Sequence, residues 1–167
     1  MQKKTTQILL LILAVGWIIV IFMFSAKTAP ESMKQSDGIV DYLIRVLVPD
    51  YDSLPTEQQT DISDTMTTIV RKGAHMAEYA ILTVILYALI SKWNLLERRL
   101  LRVVCAWSGA VLFAVSDELH QLFVPGRSGE LTDILIDGSG ALIGVLLAAG
   151  IAYLSDRRRS RKKCLEV

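Results

Sequence analysis

Lys72, His75 and Glu78 recur every three residues, Asp117 and Glu118 stand side by side with Gln121 three positions on, and Asp133 and Asp137 are four apart. Acids, an imidazole, an ammonium and an amide can together transfer protons, hold a phosphate or another polar head group, or ligate a metal ion. Their company makes these residues conspicuous. Lys72, His75 and Glu78 interrupt the start of one apolar stretch, Asp117, Glu118 and Gln121 close the next, and Asp133 and Asp137 open the last. An ionisable side chain in or near the hydrocarbon layer costs roughly 3 kcal/mol on insertion scales, so such residues face a protein interior or a wet cavity and mark function.

The elements that carry them are membrane helices. With 167 residues, 52% hydrophobic content and a mean hydropathy of +0.42, the chain is too apolar for an ordinary soluble domain. It is also too short for a membrane domain plus a large soluble one. Spans are expected at about residues 6–24, 69–91, 100–122 and 131–154, each near the ~20 residues that cross a ~30 Å core. At that length only helices satisfy their own backbone in lipid, so the expected fold is an all-α four-helix membrane bundle forming one domain over residues 1–167. The first span reads as an uncleaved signal anchor, because its apolar run exceeds the ~7 to 15 residues of a signal-peptide core.

Cations set the orientation. Lys3 and Lys4, then Lys92, Arg98, Arg99 and Arg102, then the tail cations Arg157, Arg158, Arg159, Arg161, Lys162 and Lys163 fall on one side when the spans are counted. The positive-inside rule makes that side cytoplasmic, with both termini inside and the basic tail over residues 155–167. The acidic segment 25–68 and the turn FVPGRSGE are then extracytoplasmic. In that segment Ile39, Val40, Leu43, Ile44 and Leu47 keep helical spacing behind the capping candidates Ser36 and Asp37 and stop at Pro49. A second amphipathic helix begins at Pro55 or Thr56 with Ile62, Met66, Ile69 and Val70 on one side. The pair either lies on the outer leaflet or folds over the bundle, and covering apolar surface is as good a reading as binding.

At 100° per residue, Arg71, Lys72, His75, Glu78 and Tyr79 share an arc of about 120°. Asp117, Glu118 and Gln121 share about 100°, continued inward by Ala110 and Ala114 with His120 on the flank, and Asp133, Asp137, Gly140 and Gly144 share about 60°. The acidic stripe of the last helix thus becomes a small-residue groove that a neighbour can approach. All these groups lie at the outer helix ends, with Arg127 in the joining turn above them. Arg127 and Lys72 are the expected partners of Asp117 and Glu118, since adjacent acids at a helix C-terminus repel each other and oppose the dipole. The bland alternatives are a snorkelling Lys72, a neutral His75, and a salt-bridge network that locks the bundle without any ligand.

The runs RKGAHMAEYAIL and AVSDELHQLFVPGRSGELTDILIDGSGALIG, with FSAKTAPES at the exit of the first span, resemble the VanZ-like family. The resemblance covers nearly the whole chain, and Lys-x-x-His-x-x-Glu-Tyr with Ser-Asp-Glu-x-x-Gln, Pro-Gly-Arg and Asp is a specific combination. It implies a bacterial membrane protein from a family whose founding member is associated with teicoplanin resistance. The motif positions carried over are Lys72, His75, Glu78, Tyr79, Asp117, Glu118, Gln121, Arg127 and Asp133, with Asp137 where an Asn often stands. That exchange adds a potential charge.

Two functions remain open from the residues and the resemblance together, within a role in glycopeptide resistance or envelope homeostasis. One is binding or shielding of an envelope lipid, a cell-wall precursor or a glycopeptide antibiotic. The other is an enzyme on a lipid-linked substrate, with His75, Glu78, Asp117 and Glu118 as catalytic candidates and Ser116 a nucleophile by proximity alone. There is no His-Glu-x-x-His, no Cys pair and no nucleophile motif. No cofactor, resident metal or nucleic-acid partner is expected. A transporter fits less well, because the stripe fades inward into Ala and Gly, although oligomers of four short helices can form a pore. Cys105 and Cys164 both fall on the reducing side, which disfavours a disulfide. The terminal Cys164-Leu165-Glu166-Val167 matches a prenylation box only formally, since Glu166 sits at a normally aliphatic position.

Overall fold

The computed structural model describes residues 2–165; Glu166 and Val167 of the terminal tetrapeptide, like Met1, lie outside the described residues. The described chain is all helical: α1 (Gln2–Ser25), α2 (Ala29–Leu47), a single 3-10 turn (Tyr51–Ser53), α3 (Thr56–Trp93), α4 (Arg99–Gln121) and α5 (Leu131–Leu165). Four of these helices, α1, α3, α4 and α5, are long and apolar enough to cross a membrane. They match the four spans read from the sequence.

α2 starts earlier than its apolar pattern suggests. The Glu31 carboxylate accepts from the Thr28 backbone N–H at 3.0 Å and from its hydroxyl at 2.8 Å, and Pro30 occupies the first helical turn, where its missing N–H is not needed. Ser36, expected as a cap, instead lies inside the helix and donates to the Met33 carbonyl at 2.8 Å. The reciprocal Thr28/Glu31 box outcompetes the later candidates because it satisfies the first free donors of the helix. The helix ends two residues before Pro49, as its sequence predicts.

The second outer helix and the second span are one helix. α3 runs unbroken for 38 residues, about 57 Å at 1.5 Å per residue, against a bilayer core of roughly 30 Å. No proline interrupts it, and Gly73 alone does not break a helix flanked by good formers. α2 runs back along the first half of α3 as an antiparallel hairpin, burying Val40 and Ile44. The hairpin tip is tied by the Tyr51 hydroxyl donating to the Gln59 carbonyl at 2.9 Å. Of the two placements open from the sequence, this is a helix folded onto the protein.

α3 packs against each of the other four helices, most extensively α5. The reason is visible at Gly140 and Gly144: a Cβ on either would run into the Met76 or Ala80 carbonyl of α3, so the two backbones touch there. α4 contributes the fully buried ladder Ala106, Ala110 and Ala114, and α1 a narrow stripe of Ala14, Ile21 and Ser25. Ile21, Tyr79, Leu82, Ala110, Ala114 and Ala141 form the main core. Most other large apolar side chains of the spans, such as Ile8, Ile12, Leu112 and Leu135, point outward, as lipid-facing positions do.

Candidate functional site

The close α3–α5 contact and the alanine ladder of α4 bring the middle of α3 against the end of α4 and the start of α5, and the polar residues with them. Asp117, Glu118, Gln121 and Asp137 are each at most 5% exposed, and Tyr79 is fully buried. Lys72 Nζ meets Asp133 Oδ1 at 2.6 Å and Glu130 Oε2 at 3.8 Å. His75 Nδ1 lies 3.3 Å from Glu78 Oε2, one helical turn along α3. All ten residues singled out from the sequence therefore fall in one region, with Arg127 at its edge.

The pairing differs from expectation. Lys72 serves Asp133 and Glu130, not Asp117 or Glu118. Arg127 does not reach them either: its Nε donates to the Lys27 carbonyl at 3.1 Å, which ties the α4–α5 turn to the α1–α2 link. Among the described residues neither Asp117 nor Glu118 has a cation within 4.0 Å. They are met by neutral donors. Gln121 Nε2 donates to Asp117 Oδ2 at 3.3 Å, and the Glu130 backbone N–H donates to Glu118 Oε2 at 3.0 Å. The reason is rotational: adjacent positions on α4 point about 100° apart, and the turn Val124-Pro125-Gly126-Arg127 throws the guanidinium outward. Gly126 takes φ 76°, and the Arg127 N–H closes the turn on Val124 O at 3.1 Å, as Pro-Gly in a type II turn requires. Burial and the nearby Arg71 push the Arg127 guanidinium below its ordinary value, against the upward pull of Asp117, Glu118 and Asp133.

Several polar atoms of the cluster have no partner among the described residues. Tyr79 Oη, Asp117 Oδ1, Asp137 Oδ1 and Arg127 Nη2 are all buried without a hydrogen bond. Burying such groups unsatisfied costs about 1–3 kcal/mol each. The cavity inside, lined by Lys72, His75, Glu118, Asp133, Ile136 and Asp137, measures about 10 Å3, about the volume that one water occupies. Beside it a cleft of about 270 Å3 opens between α1, α2 and α3, its lining a mixture of apolar Phe24, Ile39 and Val70 with polar Arg71, His75 and Glu78. His75 lines both spaces.

Three contributors escape a search for charged residues. Ser25, fully buried on α1, accepts from Gln121 Nε2 at 2.9 Å. Trp17 Nε1 donates to the Glu78 carbonyl at 2.9 Å, and Glu130 supplies both a second carboxylate for Lys72 and the N–H for Glu118. Ser25 had a signal in FSAKTAPES, as the polar residue ending an otherwise apolar stripe. Ser116, next to Asp117 in sequence, is exposed, whereas Asp117 is buried. His120 stacks on Phe22 with ring centroids 4.4 Å apart, a flank role as expected. Among the described residues no group of three or more His, Cys, Asp or Glu side chains is arranged to hold a metal ion.

A family model described as VanZ/LLP1 matches residues 10–153, a stretch that contains every residue of the cluster. No curated protein and no solved structure gives a significant match to the chain.

Proposed function

The chain belongs to the VanZ/LLP1 family and is a multi-pass membrane protein; from that premise we propose that it binds the polar head of an envelope amphiphile at the outer membrane face. The binding serves glycopeptide resistance or envelope homeostasis. Both termini are cytoplasmic in this reading, because Lys4, Lys92, Arg98, Arg99, Arg102 and Arg157 all belong to the end of the bundle opposite the polar cluster. The cluster and the α2/α3 hairpin then face the cell exterior.

The observation that carries the reading is the mixed apolar and polar lining of the cleft beside His75. Apolar Phe24, Ile39 and Val70 suit an alkyl chain, while Arg71, His75 and Glu78 suit a phosphate or a sugar hydroxyl. An envelope lipid, a lipid-linked cell-wall precursor and a lipid-bearing antibiotic share this chemistry. The buried cluster behind His75 holds the ring in place and has room for no more than a water, so the cleft takes the ligand and the cluster supports it. A second reading is favoured by one feature. The His75–Glu78 contact at 3.3 Å on the cleft wall is the geometry of an acid–base pair, suited to proton transfer on the same class of ligand.

Cells expressing the wild type, the double variant His75→Ala with Glu78→Gln, or the exposed control Ser116→Ala, at equal membrane abundance, test the proposal by teicoplanin susceptibility. Protection by the wild type and Ser116→Ala, lost by about tenfold in the double variant as expected for one or two head-group hydrogen bonds, supports it. Equal protection by all three removes the cleft from function. Recovery of the bound amphiphile from purified protein separates the readings: unaltered mass means binding, a converted head group means catalysis.

A further inference from the structure

At the end of the bundle opposite the polar cluster, a groove of about 460 Å3 opens along α3 and α5. Its walls are apolar, from Val84 and Ala88 on α3 and Ala148 and Ile151 on α5, and its mouth is formed by Lys92, Arg99 and Arg102. Asp156 is the one acid among the lining residues, and it reaches Arg99 at 2.7 Å. Three cations less one acid leave two positive charges. Arg102 is held in place by the Leu96 carbonyl at 2.7 Å, so its charge is oriented without being neutralised. The Lys92 ammonium has neither an ion pair nor a hydrogen bond among the described residues. At the inner rim Ser91 Oγ is buried without a partner. Beyond the mouth α5 continues as an exposed basic helix through Arg157, Arg158, Arg159, Arg161 and Lys162.

A groove that is apolar within the membrane and cationic where the membrane ends is complementary to one molecule in particular, an acyl chain bearing a phosphate. We propose that this groove is a binding site for an anionic diacyl phospholipid of the leaflet on the tail side. The phosphate sits among Lys92, Arg99 and Arg102, with Ser91 Oγ as a further donor. One acyl chain lies against Val84, Ala88 and Ile151. The site is separate from the outer cleft and stands whatever that cleft binds. Charge complementarity selects the occupant: a zwitterionic lipid would bring its own ammonium to the cationic mouth, and a second protein chain has no visible reason to present an anion at that depth.

The full chain in phosphatidylcholine nanodiscs, doped with spin-labelled phosphatidylglycerol or spin-labelled phosphatidylcholine, reads the motionally restricted lipid directly. Phosphatidylglycerol should be retained in preference to phosphatidylcholine. Lys92→Gln with Arg99→Gln should lower its retention roughly twenty-fivefold, the product of about fivefold per cation. Asp156→Asn, at an exposed position, should raise retention about fivefold. Ala88→Leu should displace the lipid without altering any charge, which keeps the proposal testable if the double variant folds poorly. Equal retention of the two lipids, unchanged retention in Ala88→Leu, or displacement of the label by inorganic phosphate at matched concentration would each overturn the site. So would loss of retention on replacing only Arg157 and Arg158 by Gln, since that would put the lipid on the tail.

Discussion

Lys72 meets Asp133 at 2.6 Å and Arg99 meets Asp156 at 2.7 Å, two ion pairs of nearly the same length at opposite ends of the same bundle. Their surroundings separate them. The first pair is 26% and 21% exposed, the second 39% and 64%. Around the first lie Glu118 and Asp137, both buried, and a ring of unpartnered polar atoms; around the second lie exposed arginines. Equal contact geometry thus hides unequal chemistry. A charge near the surface is screened and replaceable, whereas a charge held under packed helices depends on the few groups facing it. The cluster end is organised by backbone contact between α3 and α5, the tail end by exposed charges.

The contrast can be broken at its source. Gly144→Ala places a methyl group against the Ala80 carbonyl and should destabilise the protein by about 3 kcal/mol, the upper part of the usual range for overpacking. Gly150→Ala, later in α5 with nothing within 4 Å of its Cβ, should instead gain about 0.5–1 kcal/mol from helix propensity. Denaturant unfolding in detergent measures both, and similar effects at the two positions would erase the distinction between the halves.

Double-mutant cycles sharpen the comparison. Lys72→Met with Asp133→Leu should give a coupling of about 2 kcal/mol, between the values for exposed and fully buried pairs. Arg99→Gln with Asp156→Asn should give less than about 1 kcal/mol and lose it in high salt. Couplings of the same size would mean that burial does not separate the ends.

The smallest effect belongs to the hairpin. The Thr28 hydroxyl first and the Thr28 N–H second hold the fully exposed Glu31 carboxyl below its usual range. With the folded value lowered, its contribution is fully present above the ordinary carboxylate pKa and is lost as pH falls through the lowered one. Acidification should therefore lower the protection factors against hydrogen exchange in the first turn of α2, and Glu31→Gln should show that lower protection already at neutral pH, with less dependence on pH. An unchanged acid response in the variant would remove Glu31 from the cap.

What the sequence made legible follows from period and cost. The four spans announce themselves by length, and Lys72, His75, Asp117 and Asp137 by being expensive where they stand. Their partners did not. Whether Lys72 serves Asp117 or Asp133 depends on the relative rotation and depth of three helices, which no single helix encodes, and the Gly140–Met76 contact that fixes them is a meeting of backbones. Ser25 and Trp17 act through one hydrogen bond each on an apolar helix and leave no charge pattern behind. The start of α2 was hidden because Ser36 and Asp37 carry the same side-chain chemistry as a true cap, and the continuity of α3 because a polar stretch followed by an apolar one looks like two helices.

That continuity makes α3 a lever. Its outer turns hold the hairpin, its middle carries Lys72 through Tyr79, and its last turns reach Ser91 and Lys92 on the far side, with no break at which bending can be absorbed. Hairpin, polar cluster and basic groove thus share one unbroken rod, and none of the three can be re-aimed without moving the same helix.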